Sequence, residues 1–140
     1  MKSSLRTMLA ASVAGAAFMA ASATAQAEEI NIGVILGFTG PIESITPGMA
    51  DSAELAINEV NESGLLLDGA TLVPVRADST CIDSAAAQAA AERLITVDNV
   101  AAIMGADCSG VTIAIANNVA VPNGVVMVSP SATSPALTDI

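Results

Sequence analysis

Met104-Gly105-Ala106-Asp107-Cys108-Ser109-Gly110-Val111-Thr112 is the stretch whose reading decides the fold. The run leading into it, Val100-Ala101-Ala102-Ile103-Met104, is short and apolar enough to be a buried strand, and a helix reads from Val111 to about Val119. A strand therefore ends, turns and feeds a helix. At that turn Ser109 is placed to cap the helix with its hydroxyl, and Gly110 lets another group approach the free N–H donors of the first helical turn. Two readings stand side by side here: a plain serine cap, or a site for a carboxylate or other small anion at the partly positive helix start.

Upstream, Glu29 to Leu36 passes from alternation into a continuous apolar run, as a first strand entering a covered sheet would. Gly37-Phe38-Thr39-Gly40-Pro41 then turns the chain. Its glycines do not fit G-x-G-x-x-G and no Gly-Lys-Ser/Thr follows, so no nucleotide cofactor is expected. Thr46-Pro47 reads as the cap and first residue of a helix. Its apolar face is Met49, Ala50, Ala53, Ala56, Ile57 and Val60, its outer side Asp51, Glu54, Asn58 and Glu62, and its stop Gly64. Glu59 and Glu62 are read as a solvated face, not as paired catalytic or metal-binding carboxylates.

Ala70 to Ala77 reads as a second strand, and Pro74, which has no N–H for a ladder, assigns it to an edge. Asp83 is placed to cap a second helix whose inner face is Ala86/Ala87, Ala90/Ala91, Leu94 and Val97, with so much alanine that it should pack close. After the Ser109 turn, the third helix turns Ile113, Ala116 and Val119 or Ala120 inward. Pro122-Asn123-Gly124 ends it, and Val125 to Val128 reads as a fourth buried strand. This succession predicts an α/β fold, a doubly wound parallel sheet with right-handed crossovers and helices on both faces. Ligands of such sheets bind beyond the carboxyl ends of the strands. The loops there are Gly37–Ile45, Asp78–Ile82, Ala106–Gly110 and Ser129–Leu137, and Cys81 and Cys108 fall in two of them.

A chain of 140 residues allows one domain at most. Met1-Lys2 and Arg6 make a basic start, Met8 to Ala21 is a small apolar run, and Ala23-Thr24-Ala25 and Ala25-Gln26-Ala27 fit small-x-small cleavage sites, so 1–27 reads as a secretory signal. The run falls short of the ~20 strongly apolar residues of a membrane span. Glu28 is the expected mature start, Gln26 the second choice. Removing the signal takes away two of four basic residues and none of the 14 acids, which leaves a net charge of −12. That surface excludes nucleic acid and anionic lipid as partners. In an exported protein Cys81 and Cys108 are expected to pair, a free reactive thiol at Cys108 being the competing reading. The chain has no His, so a hydrolase built on any of its serines would lack the usual base, and neither catalytic residues nor metal ligands are assigned.

At Ser129-Pro130-Ser131-Ala132-Thr133-Ser134-Pro135-Ala136-Leu137-Thr138 the pieces join into a family pattern. With the Gly-Phe-Thr-Gly-Pro turn, the first helix, the paired cysteines and the Gly-x-x-Cys-Ser turn, the chain from Ile30 onward resembles the leucine/isoleucine/valine-binding proteins, periplasmic receptors of ABC importers. The resemblance implies a type I periplasmic-binding fold, of which residues 28–140 would be the first part of lobe I, with the second lobe absent. It implies that Ser109 holds a ligand α-carboxylate with the Gly110 N–H beside it, that Ser131 contacts the ligand through its backbone, ammonium included, and that Thr133 contacts the head group. Neutral hydroxyls and backbone dipoles suit a zwitterion without burying a new charge. Ile42 and Ile45 replace an aromatic residue common in relatives, so Ile45 is the expected side-chain contact. Asp107 stands where an apolar residue is common, and is read as facing solvent in preference to accepting from a cationic group.

The expected protein is a monomeric periplasmic receptor without cofactor. It captures a branched-chain or similar amino acid, or a small amide, and delivers it to an inner-membrane permease. An extracytoplasmic ligand sensor is the alternative, an exported hydrolase a more distant one. A lobe cut at Ile140 would be marginally stable and bind weakly.

Overall fold

The computed structural model describes residues 28–140, and the expected export signal lies outside the described residues. Four strands and three main helices alternate: β1 (Glu29–Leu36), α1 (Thr46–Ser63), β2 (Thr71–Asp78), α2 (Ser84–Thr96), β3 (Ala102–Gly105), α3 (Ser109–Ile115) and β4 (Val126–Val128). α3 passes directly into a π-helical turn, Ala116–Ala120, and a 3₁₀ turn, Val121–Asn123, before Gly124 reverses the chain.

All strand pairs are parallel, in the order β2-β1-β3-β4. Pro74 therefore lies on an edge strand, as its missing donor requires. The winding direction reverses between β1 and β3, which opens a crevice at their carboxyl ends. Successive residues of β1 point to opposite faces. Val34 and Leu36 pack under α1 against Ala50, Met49 and Ala53. Ile35 faces the other layer, Ala87, Ala91 and Leu94 of α2 with Val111 and Ile115 of α3. The close packing expected of the alanine-rich helix is present: a Cβ on Gly33 would lie 3.0 Å from Leu94 Cδ1 and 3.2 Å from Ile103 Cγ1.

Helix ends follow local chemistry in two places. Asp83 Oδ1 accepts from the N–H groups of Ala85 and Ala86, and Gly64 closes α1 at φ 63°. Elsewhere the structure differs from the sequence reading. Thr46 is already helical and Ile45 holds the cap position, because the Thr46 hydroxyl, fully buried, donates instead to the Gly37 carbonyl. Ala56 and Val60 are exposed, since α1 touches the sheet along a narrow stripe through Ala50 and Ile57. Val97 follows the last turn of α2, at its cap, and is exposed. In the third helix Val111, Ile115, Ala116 and Val119 reach the core while Ile113 is half-buried. β4 is covered on one face only: Val125 and Met127 join the α2/α3 layer, whereas Val126 and Val128 are each 65% exposed on the side where α1 covers β1.

Candidate functional site

The crevice is built from the loops that follow the four strands. β3 ends at Gly105 with φ 128°, where a Cβ would overlap the Ile35 carbonyl oxygen, so only glycine lets β3 finish this close to β1. Two residues on, Asp107 turns inward and is 3% exposed. Its Oδ2 accepts from Gly37 N–H at 2.8 Å, and its Oδ1 accepts from Cys108 N–H at 3.0 Å and from the Ser79 hydroxyl at 3.3 Å. The expectation that Asp107 faces solvent is therefore corrected. Three donors converge where the chain leaves β1, β2 and β3, and together they make burial of the carboxylate affordable.

Cys81 and Cys108 are joined, with sulfurs 2.07 Å apart, and tie the loop after β2 to the start of α3. The free-thiol reading of Cys108 is set aside by this bond. The loop after β1 is drawn into the same knot: a Cβ on Gly37 would meet Cys81 Cβ at 3.2 Å and Asp107 Oδ2 at 3.4 Å. Asp78 anchors the rim. Its partial burial works against ionisation but is outweighed by the Thr39 hydroxyl and by the N–H groups of Thr80, Thr39 and Phe38, which hold its carboxyl below the usual value.

Ser109 does not cap α3. The cap position is held by Cys108, and the Ser109 hydroxyl reaches instead into the loop after β4, accepting from Thr133 N–H at 3.0 Å and Ser134 N–H at 3.1 Å. Both lone pairs of its oxygen are thereby engaged, and only its proton is free, so toward the crevice it is a donor. Ser131 is set the other way. Its hydroxyl donates to the Asp107 carbonyl at 2.8 Å, which leaves its oxygen as an acceptor. Ser129 closes the loop, donating to the Ala106 carbonyl and accepting from Ala132 N–H at 2.8 Å.

The hydrogen bonds thus bring Ser109, Ser131 and Thr133 together on one edge, with Gly110 exposed beside them, ahead of the first helical bond from Thr112 N–H to Cys108. Ile45 stands at the end of the loop after β1, 58% exposed, and its backbone bonds stay local, to Ile42 and Met49. No hydrogen bond joins it to the serines. Among the described residues both cations are engaged elsewhere, Arg76 with Asp51 and Glu54 under a contact to the Phe38 ring, and Arg93 with Asp98. The edge therefore works with neutral donors and acceptors. Among the described residues no group of acids and cysteines is placed to hold a metal ion. A cavity of about 460 Å³ adjoins this edge through Thr112, Ser129 and Ala132 and extends between Ala116 and Val121 on one side and Val125, Met127 and Leu137 on the other.

Sequence reasoning missed Asp107 as the knot of the loops and Ser129 as the latch of the last one. A signal for the first was present: an acid directly after an apolar strand and beside a half-cystine is badly placed to reach water.

Against known proteins, residues 29–139 match the family model described as periplasmic binding protein. The Leu/Ile/Val-binding protein BraC3 of Rhizobium johnstonii is 34% identical over 134 residues, covering 96% of this chain and 34% of the relative. Among solved structures, the branched-chain amino acid transporter substrate binding protein LivJ of Streptococcus pneumoniae, in complex with isoleucine, aligns with TM-score 0.72 at 32% identity, over 80% of this chain and 31% of that one. An ABC transporter substrate-binding protein of Desulfitobacterium hafniense, in complex with Leu, aligns with TM-score 0.67 at 35% identity over the same shares. The chain thus spans about a third of the length of these proteins. With a four-stranded parallel sheet of order β2-β1-β3-β4 and a match over nearly all of the described residues, the chain belongs to the periplasmic binding protein family.

Proposed function

We propose that this chain carries the head-group half of an extracytoplasmic receptor that captures a branched-chain or similar amino acid for an ABC permease. The observation that supports it best is the opposed setting of two hydroxyls on one edge. Ser109 is a donor because its oxygen is occupied, and Ser131 is an acceptor because its proton is occupied. A carboxylate needs the first and an ammonium the second. The ligands in the two solved relatives, isoleucine and Leu, present both. Gly110 N–H adds a second donor for the carboxylate, Thr133 lines the head group and Ile45 meets the aliphatic side chain. Export through the segment 1–27 delivers the chain from Glu28 onward to the periplasm.

The same bonds argue against a hydrolase. A Ser109 oxygen that accepts two N–H bonds is a poor nucleophile, and Ser131 gives its proton to a neutral carbonyl, which is no base. Calorimetry on the full-length gene product tests the proposal. Leucine, isoleucine or valine should bind. Leucinamide, which lacks the carboxylate, and 4-methylpentanoate, which lacks the ammonium, should each bind at least ~10-fold more weakly. Equal affinity for leucine and both analogues, or no amino-acid binding at all, refutes it.

A further inference from the structure

We propose that Asp107 is the positioning residue of this edge: its buried carboxylate sets the loops in the register that makes Ser109 a donor and Ser131 an acceptor. The inference rests on the binding role proposed above and deepens it. Asp107 touches all four loops of the crevice. Its side chain accepts from Gly37 after β1, Ser79 after β2 and Cys108 after β3, and its main-chain carbonyl accepts from Ser131 after β4. The Cys81–Cys108 bond joins only two of these loops.

The geometry demands a carboxylate at this position. The two N–H donors, Gly37 and Cys108, approach different oxygens, and a backbone N–H cannot reverse its role. Asparagine offers one acceptor oxygen and one NH₂ group. In either flip it sets NH₂ against a backbone N–H, leaving Gly37 or Cys108 unmatched in a buried place. Freed at Gly37, the loop after β1 moves away from the knot. Freed at Cys108, the start of α3 moves, and with it the Ser109 oxygen that accepts from Thr133 and Ser134. Asp107 itself, almost wholly buried, does not reach the ligand.

The test is Asp107→Asn in the full-length gene product, read three ways: leucine affinity on folded protein well below its melting temperature, amide hydrogen exchange at Thr133 and Ser134, and the same affinity in a Ser109→Ala background. The expected result is a rise in Kd of at least ~10-fold, faster exchange at both amides by a similar factor, and an added effect below about twofold once Ser109 is gone, because Asp107 acts through it. A variant with a lower melting temperature but unchanged Kd and unchanged exchange overturns the proposal, leaving Asp107 a stabilising residue only. If the parent protein binds no leucine, the binding role fails, and exchange at Thr133 and Ser134 still decides the positioning. Should Asp107→Asn not fold, Ser79→Ala keeps the carboxylate and both backbone bonds. It should speed the same two amides by about two- to threefold, and no change there refutes the inference.

Discussion

Replacing both half-cystines, as Cys81→Ala with Cys108→Ala, should lower stability greatly and leave the ligand edge nearly in place. The bond closes a loop of sequence separation 27. In the chain-entropy treatment a loop of that length restricts the unfolded state by about 3.5 kcal/mol at 25 °C. The melting temperature should fall with it, by an amount set by the unfolding entropy of the cooperative unit. The native loops have other ties: Ser79 and Gly37 remain bonded to Asp107, and Thr133 and Ser134 remain bonded to Ser109. The cost should therefore appear in the unfolded chain, with a steeper dependence on urea as that chain expands. The assay is urea and thermal unfolding of the parent protein with and without a thiol reductant, beside the double variant, which should ignore the reductant. A loss under about 1 kcal/mol, or an unchanged urea slope, would refute the entropic argument.

Ser109→Ala should cost leucine affinity about 10- to 100-fold, the range for losing a hydrogen bond to a charged group, with only a modest change in melting temperature; calorimetry beside a thermal scan separates the two. Gly105→Ala should destabilise by about 3 kcal/mol or prevent folding, because its Cβ would strike the Ile35 carbonyl at φ 128°. Gly64→Ala, at φ 63° with open space around it, should cost only about 1 kcal/mol in the same urea titration. Asp78 is held below its usual value, so its stabilisation is complete above the unfolded pKa of about 3.9 and fades as pH falls through the lower folded value. The stability gap between the parent and Asp78→Asn should therefore be constant near neutrality and close under strong acid, as urea midpoints from neutral to acid pH will show.

What could be read in the chain was what local chemistry decides. β1 begins and ends within the run Glu29–Leu36, Pro74 assigns β2 to an edge, and Asp83 and Gly64 mark helix ends. What could not be read were the places where a distant group competes with a local one. Thr46 and Ser109 each have a hydroxyl beside a helix start, and a sequence offers no means to see that Gly37 O or the Thr133 and Ser134 amides will claim it. Periodicity likewise identifies the inner stripe of α2 but not where the helix ends: Val97 shares the spacing of Leu94, yet it follows the last helical residue and lies in the open.

Asp107 is the extreme case of that competition and explains the charge pattern of the edge. A carboxylate is normally exposed because water is its best source of donors. Here donors from three loops replace water, while both arginines of the described chain are held elsewhere by acids. The negative charge is thus spent on gathering loops, behind the surface a ligand would meet. What remains in front is neutral, and its polarity is set by hydrogen-bond direction, Ser109 outward as donor and Ser131 outward as acceptor. An edge of this kind can select for a zwitterion without supplying a full charge of its own. Its selectivity then depends on the geometry of the loops, so the residue that holds that geometry should matter to affinity as much as the residues that touch the ligand.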